Sequence, residues 1–213
     1  MRISCVCSAV VAVAAMAGSA LGANLVSNGS FENPGFTGGS DDGGGVYFYT
    51  RDMGVNGVTG WEHAAGLAYL RSRPVSNGWV AQDGDYYVEV ESGFSASIMQ
   101  SFATEVGATY ELSFAYAANP VAPGNDDAVR VLWNGSSVDV VDGASSESFP
   151  VWTLHTYTVV ATSTMTTLSF EDAGLGAAYN GGYLDNVSVT LVPAPGGAAL
   201  LGLALVGAGR RRR

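Results

Sequence analysis

The chain has no lysine, and its positive charge is confined to nine arginines, five of which (Arg2, Arg210, Arg211, Arg212 and Arg213) lie at the extreme ends. Between the ends, nineteen acids face only Arg51, Arg71, Arg73 and Arg130, a balance of −15. A surface that acidic argues against nucleic acid and anionic lipid as partners, because both repel it. It suits a soluble extracellular module, including one that uses divalent cations. Cysteine is almost as scarce. Cys5 and Cys7 fall in a segment expected to be removed, so disulfides and thiol chemistry are excluded from the remainder. Only His63 and His155 supply imidazole, and the G-x-S-x-G, H-E-x-x-H and P-loop patterns are absent. Asp83, Asp85, Glu89 and Glu91 supply enough carboxylates for a glycosidase pair, which needs two groups roughly 5–9 Å apart across a cleft. Glu89 and Glu91 share one strand face instead, the ordinary solvated arrangement, and no enzyme is expected.

Both termini point to export. Arg2 is a minimal positive region, Val10 to Ala17 an apolar one, and the small residues Gly18, Ser19, Ala20, Gly22 and Ala23 place a cleavage site near Gly22 or Ala23. At the other end Pro193 and Pro195 break the chain, an uncharged apolar run extends from Gly196 to Gly209, and Arg210, Arg211, Arg212 and Arg213 close it. Fourteen helical residues reach roughly 21 Å, short of the roughly 30 Å hydrocarbon core. Such a run is marginal as a permanent span but adequate as a transient one, with the arginines held on the cytoplasmic side. The tail resembles the PEP-CTERM sorting signals of Gram-negative bacteria, which exosortases process. Ala194 departs from the Pro-Glu-Pro of that pattern, while Pro193 and Pro195 keep its frame. The resemblance implies an exosortase-type partner, transient insertion into the inner membrane and delivery to the cell surface or matrix. A short anchor that is never cut is the alternative. The chain therefore divides into a signal peptide (1–23), one domain (24–192) and a sorting or anchor signal (193–213).

Within the domain the apolar residues alternate at period two, bounded by Gly, Asn, Asp and Pro clusters, and no 3.6-residue period emerges. Tyr86, Val88 and Val90 share one strand face, with Tyr87, Glu89 and Glu91 on the other. Tyr110, Leu112, Phe114 and Tyr116 repeat the pattern with Glu111 and Ser113 outward, as do Val129, Val131 and Trp133 before an Asn134-Gly135 turn. Tyr157 and Val159, Leu168 and Phe170, and Val187, Val189 and Leu191 complete the set. Short strands so spaced predict a β-sandwich or barrel. A signal helix and a short C-terminal apolar helix are expected outside it.

The segments NLVSNGSFENP, VTGW, IMQSFATEVGATYELSFAYAANP, WTLHTYTVVATSTMTTLSFED and GGYLDNVSVTLV, in that order, resemble the DUF642 and related choice-of-anchor proteins. These belong to the galactose-binding-like jelly rolls, so the resemblance implies an all-β jelly-roll β-sandwich over residues 24–192. It also implies a non-catalytic extracellular module associated with polysaccharide or cell wall. The competing expectation is a structural surface or matrix protein that acts through protein contacts and binds no glycan.

Two groups of residues are candidates for a site. Asp185 shares parity with Val187, Val189 and Leu191, which predicts a place on the core face, where a carboxylate must be paired, hydrogen-bonded or metal-bound. Glu32 matches the calcium-ligand region of related carbohydrate-binding modules. The resemblance thus implies a structural calcium at Glu32 and Asp185 joining the first and last strands. In the alternative, Asp185 takes N–H bonds from a neighbouring loop and Glu32 is solvated. The second group is aromatic, because an exposed ring stacks on the apolar face of a pyranose. Tyr47, Tyr49, Tyr69, Trp79 and Tyr179 lie in Gly-rich or turn-rich sequence and are the candidate carbohydrate-binding residues, provided several share one exposed face. Trp133 and Trp152 are expected in the core, and Trp61 fits packing as well as binding.

Overall fold

The computed structural model describes residues 22–33, 40–41, 46–50, 58–65, 68–72, 80–90, 96–120, 127–143, 149–174 and 181–193. All regular structure among them is β, in two antiparallel sheets. The seven-stranded sheet runs in the order β1 (Ser40–Asp41), β2 (Val46–Thr50), β4 (Ala68–Ser72), β5 (Tyr86–Val90), β12 (Gly182–Leu191), β7 (Thr109–Ala117) and β10 (Thr153–Val160). The five-stranded sheet runs β3 (Glu62–Ala65), β6 (Ser97–Ala103), β11 (Met165–Asp172), β8 (Val129–Trp133) and β9 (Ser136–Val141). This is a jelly-roll β-sandwich. The expected terminal helices lie outside the described residues, and no helix among the described residues is long and apolar enough to cross a membrane.

The period-two pattern decides which side of each strand is buried. Leu112, Phe114, Val129, Val131, Leu168 and Phe170 are fully buried between the sheets, while Glu111 and Arg130 point out. Asn134 and Gly135 adopt φ values of 50° and 76°, as the tight β8–β9 turn requires. The N-terminal SNGSFEN segment closes one side of the core. Its Phe31, at φ 60°, is 0 % exposed and packs 5.4 Å from Trp61, whose Nε1 donates to the Asn28 carbonyl. Trp61 is therefore a core residue. Gln100 holds this corner together: its Oε1 accepts from Ser27 N at 2.7 Å, and its Nε2 donates to Gly60 O at 2.7 Å.

One strand departs from the expected parity. β12 pairs with β7 through Asp185↔Ala115 and then Ser188↔Ser113, which leaves an extra residue on β12 at Asn186, where φ is 49°. This bulge shifts the alternation by one. Leu184 faces the core before it, and Val187 and Val189 after it. Asp185 consequently lies on the outer face of the seven-stranded sheet, not on the core face that simple counting assigns. Leu191 keeps the Val189 parity but lies past the end of the core and is 38 % exposed.

Candidate functional site

Residues paired across antiparallel strands share a face of the sheet, so the register reads as rows. One row on the outer face of the seven-stranded sheet crosses five strands as Tyr49, Tyr69, Glu89, Tyr183 and Ala117. The next contains Tyr47, Arg71 and Tyr87. Tyr47, Tyr49 and Tyr69, which come from two strands, thus fall on a single face together with Tyr87, Glu89 and Tyr183. Trp79 and Tyr179 lie outside the described residues. Of the expected sorting signal, Pro193 is the last described residue and is exposed, whereas Pro195, Arg210, Arg211, Arg212 and Arg213 lie outside the described residues.

The centre of this face is closed. Tyr87 and Glu89 are 0 % exposed and Tyr183 is 1 % exposed. Glu89 is on the side that alternation predicts, but it is not solvated. Its Oε1 accepts from Asn119 Nδ2 at 2.9 Å and from Gly181 N at 3.2 Å, and Asn119 N donates to Asp127 Oδ2 at 2.8 Å. Burial of a carboxylate is tolerable only with donors of this kind. Tyr87 meets Tyr183 edge-on at 5.2 Å and Trp152 edge-on at 5.6 Å. Trp152 Nε1 donates to Val80 O at 2.8 Å, so Trp152 belongs to this outer cluster rather than to the core between the sheets. Periodicity identifies a strand's face, but it does not report that residues far along the chain close over that face.

Glu32 and Asp185 converge on one loop from two sides. Asp185 Oδ2 accepts from Gln82 N at 2.7 Å and Asp83 N at 2.9 Å, while its Oδ1 accepts from Asn186 N at 2.6 Å. Glu32 Oε1 accepts from Asp85 N at 2.9 Å and Tyr86 N at 2.8 Å. Asn186 Nδ2 adds a bond to Gln82 Oε1 at 2.9 Å. The loop between Gln82 and Tyr86 is thereby stapled to the first described segment and to the last strand. Gly84 is needed at its apex: φ is 71°, and a Cβ there would lie 2.3 Å from the Glu32 carboxyl carbon. Burial pushes the Asp185 carboxyl up to about 7, against the pull of its three amide donors.

Asp185 Oδ2 and Glu32 Oε1 each accept two backbone N–H bonds, so amides of one loop meet both carboxylates at the place where calcium was expected. No group of three or more His, Cys, Asp or Glu among the described residues is arranged to hold a metal. Backbone amides of the loop between Gln82 and Tyr86 connect the segment carrying Glu32 to β12. Chelator and added calcium are each expected to leave the Tm of the purified protein unchanged. A rise of several degrees with calcium, reversed by chelation, would return the ion to these two residues.

The residues considered for catalysis are dispersed. Asp83 and Asp85 are exposed on the stapled loop, and Glu89 is enclosed by its amides. His155 pairs across strands with Phe114, its ring stacked at 5.4 Å, and its Nδ1 lies 3.4 Å from the Tyr157 hydroxyl. Burial lowers the His155 pKa, and the neighbouring Asp139 partly offsets this. The amide bonds to Asp185 match the alternative raised from the sequence, whereas the bonds from the same loop to Glu32 and the enclosure of Glu89 were not anticipated. The D-G-D run at residues 83–85 marks a turn but does not say what the turn's amides bind.

A family model described as a protein of unknown function (DUF642) matches residues 24–190. Halomucin of Haloquadratum walsbyi is 31 % identical over 168 residues, which cover 78 % of this chain but only 2 % of that very long protein. Among solved structures, a cyclase from Fischerella sp. TAU superposes with a TM-score of 0.53 at 16 % identity, covering 79 % of this chain and 96 % of that one. A family 35 carbohydrate binding module from Clostridium thermocellum gives a TM-score of 0.43 at 18 % identity, covering 60 % and 90 %. At such identities the structural likeness reports the fold alone, and the chain belongs to the DUF642 family.

Proposed function

We propose that this protein is a non-catalytic module that attaches to extracellular polysaccharide, is exported by its N-terminal segment and is held at the surface of a Gram-negative cell by its C-terminal tail. An exosortase-type enzyme is the proposed reader of Pro193, Pro195, Arg210, Arg211, Arg212 and Arg213. The observation that carries the glycan reading is the placement of Tyr47, Tyr49 and Tyr69 on one sheet face by strand register. Tyrosine is the residue type on which sugar rings stack, and here register puts three of them on the same side of two adjacent strands. The acidic, lysine-free composition and the likeness to one stretch of halomucin support an extracellular setting.

A structural role through protein contacts is the second reading, and the burial of Tyr87, Glu89 and Tyr183 favours it, because enclosed groups cannot meet a glycan. Titration of the purified protein against a panel of soluble and insoluble polysaccharides separates the two. Saturable binding, reduced tenfold or more by Tyr49→Ala or Tyr69→Ala in chains whose Tm is preserved, is expected. An absence of binding across the panel would move the function to protein contacts.

A further inference from the structure

Residues Gly22–Val192 form one compact unit, and both of its ends leave from the same pole of the sandwich. Gly22 lies against the backbone of Leu191, and the chain then runs antiparallel to β12, with Leu25 N donating to Val189 O at 2.8 Å. The exit on the other side is Val192, whose N–H donates to Thr109 O at 2.9 Å. Two turns complete this pole, joined by Gly107 N to Ala161 O at 2.8 Å and Thr104 N to Thr164 O at 3.0 Å.

The pole is unusually apolar. Val106 is 64 % exposed, Met165 56 %, Val160 50 %, Val192 41 % and Leu191 38 %, which is half of the large exposed apolar side chains among the described residues. Val160 and Val192 flank Thr109 in one row on the outer face of the seven-stranded sheet, Met165 lies on the outer face of the five-stranded sheet, and Val106 lies in the turn between β6 and β7, so the apolar residues surround this pole from both sheets. Exposed aliphatic side chains gathered at one end of the sandwich mark an interaction site, whereas single scattered ones need no explanation. The nearby charges are Glu105 and Glu111, and no described basic residue joins them.

We infer that this pole is a membrane-docking surface that rests on a bilayer of neutral lipids while the C-terminal tail is inserted. The inference depends on the tail entering the membrane, as proposed above. Only Pro193 to Pro195 separate Val192 from the apolar run that starts at Gly196. Three extended residues reach at most about 10 Å. A tail seated in lipid therefore brings the pole against the headgroups, where its aliphatic side chains leave water. With acids and no bases nearby, the attraction is apolar, and anionic lipid weakens it.

The test uses the full chain carrying Cys5→Ser and Cys7→Ser, reconstituted into phosphatidylcholine–phosphatidylethanolamine vesicles with doxyl-labelled lipid. Single cysteines labelled with an environment-sensitive fluorophore are placed by Val106→Cys, Met165→Cys, Val151→Cys or Leu201→Cys. Val151 is 54 % exposed but precedes the opposite end of β10, so it controls for exposure without position. Quenching several-fold stronger at 106 and 165 than at 151, with strong quenching at 201, is expected, as is weaker quenching at 106 and 165 when anionic lipid is added. Quenching at 201 with 106 and 165 no different from 151 would overturn the docking surface and leave the tail reading standing. An unquenched 201 would overturn both.

Discussion

Between pH 4 and pH 7 the protein is expected to lose stability, by about 4 kcal/mol through Asp185 alone, and Asp185→Asn is expected to flatten that part of the profile. The Asp185 carboxyl is raised from 3.8 to about 7 in the fold, first by burial. Below the lower value both folded and unfolded chains hold the proton, and the contribution is fully present. As pH climbs, the unfolded chain releases its proton first, so stability falls until the folded carboxyl also ionises. Three pH units at about 1.4 kcal/mol each give the magnitude. His155 acts in the opposite direction: its lowered pKa makes folding less favourable as pH falls below the ordinary imidazole value. The informative quantity is therefore the difference between wild type and Asp185→Asn in urea titrations at each pH. Asparagine keeps one acceptor but turns an amide toward an N–H donor, which lowers stability across the range without a pH slope. Parallel profiles for the two proteins would show that the three amides, rather than burial, govern this carboxyl.

Gly182→Ala is expected to cost about 3 kcal/mol or more, a Tm loss of roughly 6–12 °C for a domain of this size. The position is crowded. An added Cβ would lie 2.3 Å from the Asp127 carbonyl oxygen and 2.8 Å from both Tyr116 and Val129. That carbonyl also accepts the Tyr116 hydroxyl at 3.1 Å, and Gly182 pairs with Val90 on β5, so neither side can withdraw cheaply. The adjacent Gly181 amide donates to Glu89, as Asn119 does, and a shift here would loosen the support of a carboxylate that sees no water. Gly135→Ala provides the control, since its Cβ would meet nothing within 4 Å at φ 76°. The strain of that conformation alone is about 1 kcal/mol. If the two substitutions cost the same, close contact at Gly182 is not what requires glycine there.

The all-β architecture was legible because a half-buried strand writes its environment at period two. Leu112 and Phe114 against Glu111 and Ser113, or Val129 and Val131 against Arg130, carry that signal without tertiary help. Asn134-Gly135 was legible for the same local reason, as left-handed φ values restrict the residues that serve. Asp185 shows where the reading stops. Its burial followed from sequence, but its face did not, because one bulge residue at Asn186 reverses every parity inferred from beyond it. Glu89 marks a second limit, since its face was read correctly and its enclosure was not.

Composition and local pattern by themselves determined the acidic balance, the scarcity of cysteine, the apolar runs at both ends and the strands β5, β7, β8, β10, β11 and β12. Each of these depends on residue counts or on residues adjacent in the chain. Tertiary structure alone decided that Tyr47, Tyr49 and Tyr69 share a face with Glu89, that one loop is stapled between Glu32 and Asp185, and that both ends of the sandwich leave through an apolar pole. Those arrangements join residues that sequence separates widely, through registers and backbone amides that carry no side-chain signature.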